Sequence, residues 1–218
     1  MASMNFISLV NDVLVRLREP EASSVGDTPY VKLIARFVND SKRMVEDSYN
    51  WNALTETLSA TTTADVFNYI LVGSGQRFRV IDVLNDTDNF FLMNAPTVWM
   101  DQQFLLTTAQ KGSPKYYNFN GTDSNGDTQV DLFPIPNGAY NLRFNIIKPQ
   151  EPLVNNADIL LVPHEPVILG ALARAQAERG EDNGVQSGET YSLFKQSLAD
   201  AIALESGRYI EEGVWISV

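Results

Sequence analysis

At 218 residues, 44% hydrophobic and 20% charged, the chain is long enough to bury a core and too apolar for a disordered segment. The absence of cysteine excludes disulfides, thiolate nucleophiles and Cys-based zinc sites, and fits folding in a reducing cytoplasm. Sixteen Lys and Arg against 27 Asp and Glu give a net charge of −11, which argues against a tight nucleic-acid binder, since phosphate neutralisation needs a basic patch.

The N-terminal Met1-Ala2-Ser3-Met4-Asn5-Phe6 lacks the basic and apolar segments of a signal peptide. No stretch approaches the ~18–20 apolar residues that span a bilayer, so a soluble chain without membrane contact is expected. The longest unbalanced run is acidic: Val80 to Gln110 holds Asp82, Asp86, Asp88 and Asp101 and no Lys or Arg. Such a run serves solubility, and it also suits a channel that passes DNA without gripping it.

In chain order, the first element is a helix. At ~100° per residue, Phe6, Leu9, Val10, Val13 and Leu17 share a stripe, with Ser3 as N-cap and Glu19-Pro20 as the stop. A second amphipathic helix runs from Tyr30 to Tyr49 after the start signals Thr28 and Pro29. Its apolar face carries Ile34, Phe37, Val38, Met44 and Val45, and its polar face Lys32, Arg36, Lys42, Arg43 and Glu46.

The pattern becomes β-like near Ala53. Leu54 to Thr63 is rich in β-branched residues; Phe67–Val72 and Arg77–Leu84, joined by Gly73-Ser74-Gly75, predict a hairpin. Phe90–Leu92 and Thr97–Met100 predict short strands, and Asp101 to Gln110 a short helix. Lys115–Phe119 and Thr128–Phe133 flank an Asn-Gly tip as a second hairpin, and Tyr140–Ile147 is a last strand. After Pro163, Val167 to Ala177 is apolar nearly all round, as a helix enclosed by neighbours would be, and Gly180 ends it. A final helix opens at Ser187 or Gly188 and closes at Gly207, with Tyr191, Phe194, Leu198, Ala201 and Ile202 on one stripe. Leu193 and Leu204 lie on the opposite side, a second apolar stripe that implies a second contact. The last residues, with Tyr209, Ile210, Trp215 and Ile216, are aromatic and β-prone but too short to bury themselves, and fit an arm laid on a neighbour.

These elements predict an α+β fold: an antiparallel four-helix bundle of two N-terminal and two C-terminal helices, residues 1–52 and 163–207. A mostly antiparallel β domain, 53–162, is inserted into it, and an extended C-terminal arm, 208–218, follows.

Chemistry is sought and not found. The only histidine, His164, sits at a helix start without a nucleophile elbow. Gly73-Ser74-Gly75 lacks the Lys-Ser/Thr of a phosphate loop and leads into a strand. Asp123 to Asp127 resembles a calcium loop, but the glycine and glutamate positions of an EF-hand fall on Thr128 and Pro134. Carboxylates such as Asp82 and Asp131 have no spacing that singles out a glycosidase pair. No enzyme, cofactor or metal is expected.

One resemblance adds to this. Val10-Asn11-Asp12-Val13-Leu14 with Glu19-Pro20, then Arg36-Phe37-Val38-Asn39-Asp40-Ser41-Lys42-Arg43-Met44-Val45 and Trp51, resemble the podophage tail tubular protein A family of head-to-tail adaptors over residues 4–55. The resemblance implies a homo-oligomeric ring of about twelve copies in the virion neck, docked on the portal protein and holding the tail nozzle protein. Assembly in the host cytoplasm is expected, with DNA passing through without specific binding. It makes Leu193, Leu204, Tyr209, Ile210, Trp215 and Ile216 candidate interface residues, and Asp86, Asp88, Asp123 and Asp127 candidate lumen carboxylates. The alternative is a carbohydrate-binding or glycan-hydrolysing tail component using Trp99, Tyr116, Tyr117 and Phe119.

Overall fold

A computed structural model describes residues 4–180 and 184–208. Among these residues the helices are α1 (Phe6–Arg16), α2 (Pro29–Ser48), α3 (Thr97–Phe104), α4 (His164–Arg179) and α5 (Val185–Ser206). The strands are β1 (Thr55–Thr61), β2 (Asn68–Ile70), β3 (Arg79–Asn85), β4 (Phe90–Phe91), β5 (Met93–Asn94), β6 (Tyr116–Thr122), β7 (Thr128–Phe133) and β8 (Asn141–Ile147). The fold is α+β and divides into two compact units: a β unit, Thr55–Pro149, and a helical unit made of the residues before and after it.

In the helical unit, α1 begins at the N-cap Asn5, whose side chain accepts from the Ser8 amide, and not at Ser3. It ends before Pro20 is reached. Arg18 takes a left-handed φ of 59°, its amide donates to the Val15 carbonyl and the Glu19 amide to the Leu14 carbonyl. That pair of bonds satisfies the last carbonyls of the helix. Thr28 caps α2 through the Val31 amide, and Pro29, which has no N–H to lose, occupies the first helical position. Leu9, Val10, Ile34, Val38, Val167 and Ile168 are fully buried. Helix α4 is the hub: α1, α2 and α5 pack on it, and α1 packs on α2. A closed four-helix bundle would also pack α5 broadly on α1 or α2, whereas its main partner is α4. Gly170 permits the close approach, since a Cβ there would lie 3.0 Å from Ser41 Oγ and 3.3 Å from Phe194 Cδ2.

Residues 150–162, expected in the β region, belong to the helical unit. Asn39 binds both backbone groups of Leu153, at 2.8 and 3.0 Å, and the Phe6 amide donates to the Asp158 carbonyl at 2.8 Å. An irregular segment without periodicity gives no sequence sign of such docking.

The β unit contains two four-stranded sheets, ordered β1-β8-β3-β4 and β2-β7-β6-β5. All pairings are antiparallel except β5 with β6. Leu71, Val83, Val130, Leu132, Phe144 and Ile146, drawn from both sheets, share one core. The hairpin expected across Gly73-Ser74-Gly75 does not form, because β2 pairs with β7 and β3 with β8. The glycines, at φ 84° and 62°, instead let the chain cross from one sheet to the other. Buried Ser74 anchors the crossing, accepting from the Thr128 amide. The strand expected at Thr97–Met100 is the first half of α3, where Met100 is buried and Trp99 packs on Tyr116 and Phe133. A run of four apolar residues does not distinguish the two states by periodicity.

Candidate functional site

The feature most in need of a function is α5. One side is held firmly: Phe194 is buried, Thr190 Oγ1 donates to Gln176 Oε1 of α4 at 2.7 Å, and Glu205 accepts from the Asn52 amide at 3.1 Å. Only these three residues of the helix are buried among those described, while Leu193 is 54% exposed and Leu204 70%. Ridge and docked side are consistent with the two stripes read from the sequence, except that Tyr191 is exposed. Along the α4–α5 junction runs a groove of about 440 Å³, lined among others by Met44, Ala173, Ala177, Tyr191 and Phe194. It is mostly apolar and shallow; the Ser187 hydroxyl on its wall donates to the Gly184 carbonyl at 2.9 Å, with no histidine or carboxylate among the lining residues to activate it.

Around it the unit is braced by charge. Lys42 and Glu46, both predicted on the solvated face of α2, are buried and form an ion pair at 3.0 Å. Lys42 Nζ also donates to the carbonyls of Gln150 and Glu151, at 2.6 and 3.1 Å, and the Gln150 amide donates to Glu46. The returning chain covers that face of the helix. Wheel position alone cannot reveal this, because an irregular strand of backbone supplies the partners.

The Glu-Pro turn of the resemblance has a comparable brace. Arg179, at the end of α4, donates to the Tyr30 hydroxyl at 2.9 Å, to the Leu17 carbonyl at 3.3 Å and to the Glu19 carboxylate. The bond to Tyr30, then that to Glu19, hold its guanidinium above the usual pKa. The turn is therefore tied to both α2 and α4, beside a cleft of about 360 Å³.

The four aspartates expected near a lumen all lie in the β unit, in two groups. Asp86 pairs with Arg143 at 2.6 Å, and Asp88 accepts from Ser113 Oγ. At the β6–β7 tip, Asp123 accepts from the Asn125 and Asp127 amides, and Asp127 from the Gly75 amide at 3.0 Å. Amide bonds from Gly75 and Gly73 hold Asp127 below the usual carboxylate pKa, with Lys148 adding to the effect. Each of these carboxylates shapes a turn or pairs locally. Asp82 and Asp131 are likewise engaged, by Asn145 and by Asn68 and Asn120 respectively.

The aromatics named for glycan binding are spent on packing. Tyr117 is buried, Phe119 packs edge-on to Phe78, and Trp99 and Tyr116 lie 4.8 Å apart beside Phe133. They form no open platform. Tyr209, Ile210, Trp215 and Ile216 lie outside the described residues. Among the described residues no group of His, Asp or Glu could hold a metal ion, and no helix is long and apolar enough to cross a membrane.

A family model described as SU10 adaptor protein matches residues 4–212, nearly the whole chain. No curated protein matches the chain itself.

Proposed function

Since the chain belongs to the SU10 adaptor protein family, whose members are structural phage head-tail adaptors and not enzymes, we propose that it forms a ring in the virion neck between portal and tail nozzle. The observation that carries this reading is the match over 4–212 on a chain whose last helix leaves an apolar ridge uncovered. As a phage structural protein it resides in the virion and contacts other head or tail components. The narrower likeness to tail tubular protein A, the copy number of about twelve, assembly in the host cytoplasm and the role in DNA ejection are parts of the proposal.

The mechanism is mechanical. Helical units stand side by side around the axis, and the β units offer loops to a partner or to the next subunit. The residues after Arg208 clasp portal or a neighbour through Tyr209, Ile210, Trp215 and Ile216. Asp86, Asp88, Asp123 and Asp127 contribute to an acidic conduit. At −11 per subunit such a ring carries a large negative charge, and its carboxylates repel DNA only within about a Debye length, ~8–10 Å, which favours sliding over sticking.

Light scattering of the purified chain with and without portal protein tests the reading. A large complex with portal is expected, whereas glycan binding by a lone monomer would favour the carbohydrate-binding alternative. Trp215→Ala with Ile216→Ala is expected to leave a folded chain that enters particles poorly. Normal incorporation of that variant removes the clasp.

A further inference from the structure

Helix α5 presents two unlike flanks. Leu193 and Leu204 are eleven residues apart, three turns plus about 20° at ~100° per residue, and so form one ridge about 16 Å long. Glu189 and Asp200 fall within about 40° of that line on the same flank. Roughly 160° around the helix lies Tyr191, which faces the α4–α5 groove between Gly184 and Phe194, a length of about 15 Å. That flank is cationic: Lys195 Nζ sits 4.9 Å from the centroid of the Tyr191 ring, and Arg174 lines the groove.

Neither side has a charge partner among the described residues. Arg174 donates to Ser41 Oγ at 3.0 Å and to Met44 Sδ, both neutral groups. Among the described residues, Arg174 and Lys195 pair with no carboxylate, and Glu189 and Asp200 with no base. An acidic, leucine-bearing ridge and a cationic, apolar groove of matching length thus lie on opposite flanks of one helix.

We propose that the groove's occupant is the ridge of a second copy: Leu193 and Leu204 seat beside Tyr191 and Ala177 of the next subunit, with Glu189 and Asp200 toward its Arg174 and Lys195. Resting on the ring reading above, this names the contact that builds the ring. Two different patches on opposite flanks cannot satisfy each other across a two-fold axis, which puts a patch against itself. They join head to tail, and such contacts close into rings when the rotation per subunit permits.

The test uses the full chain and two variants altered only at exposed positions. Leu193→Asp with Leu204→Asp spoils the ridge; Ala177→Trp with Lys195→Glu fills the groove and reverses its charge. Sedimentation velocity over a concentration series is expected to show association beyond the dimer for the wild type and monomers for each variant, with unchanged thermal unfolding. An equimolar mixture of the two variants is expected to form a one-to-one dimer and nothing larger, because one good contact remains and neither outer end can extend it. A wild type that stays monomeric, its groove covered by its own residues 209–218 or by nothing, overturns the proposal. So does a variant that assembles like the wild type, or a mixture that stays monomeric. Incorporation into particles judges the adaptor reading separately: both variants entering particles normally would keep that reading and discard this contact.

Discussion

The two units of this chain use charge in opposite ways. In the helical unit, charge is buried or half-buried and holds distant segments together: Lys42 and Glu46 fasten residues 150 and 151, and Arg179 fastens the Glu19 turn to Tyr30. In the β unit most charge sits nearer the surface and shapes turns or pairs with single side chains; Asp131, buried and held by Asn68 and Asn120, is the exception among the described residues. Asp123 and Asp127 build a hairpin tip, while the outer face of one sheet is tiled by the row Thr57, Asn145 and Asp82, with bonds of 2.7 Å. Pairing the strands satisfies most of the polar backbone in the β unit. The helical unit must close itself with long-range clamps, and still leaves the ridge of α5 open. A scaffold clamped by buried charge and uncovered along one helix is suited to bearing a neighbour.

The sharpest way to break this comparison is Lys42→Met. Removing one member of a buried pair strands the other, and about 3–5 kcal/mol of stability should be lost. Urea unfolding followed by far-UV circular dichroism measures it, and Lys42→Met with Glu46→Leu should recover much of the loss. A mild effect of the single change would mean that the clamp is not what closes the helical unit. Next comes Phe194→Ala, which empties the one large buried contact of α5 and should cost about 3 kcal/mol. Hydrogen exchange should then show α5 amides losing protection while β7 and β8 keep theirs. Gly170→Val sharpens the same point, because its branched side chain meets Ser41 and Phe194 and should cost about 2 kcal/mol by overpacking.

The smallest effect belongs to the turns. Hydrogen bonds hold Asp27, Asp127 and Asp158 below the usual carboxylate pKa, in each case chiefly through backbone amides. A carboxyl depressed in the folded state contributes stability that is fully present above its unfolded pKa, near ~4, and is lost as pH falls through the folded value. Acid titration should therefore show stability declining only below about pH 4 from these groups. Asp127→Asn should flatten that decline slightly and loosen the Gly73–Gly75 crossing, read as faster exchange of the Gly75 amide. An unchanged acid limb would show that the tip carries no such linkage.

Much of the architecture is legible in the residues, and the illegible parts share a cause. Periodicity places α1, α2, α4 and α5 within a few residues, since a buried stripe repeats along the chain itself. The Leu193–Leu204 ridge is legible for the same reason. Strand existence is largely legible as well, at β1, β2, β3, β4, β6, β7 and β8, whereas β5 gives no sign. Strand pairing is not: β2 and β3 look like a hairpin because nothing local records that each has a better partner elsewhere. The burial of Lys42 and Glu46 is invisible for the same reason, as their partners are backbone carbonyls and amides of any sequence, more than 100 positions away. The four lumen candidates are recognisable as acidic, and their local partners emerge only with the turns. The groove required the angle between α4 and α5, which no single-helix pattern contains.

Electron microscopy of particles from the encoding phage, with the chain located by a tag, tests the central claim most directly. The account predicts a single ring of this chain at the neck, with α5 of each subunit covered by another molecule. A chain absent from particles, or present with α5 facing open solvent all round, would contradict it.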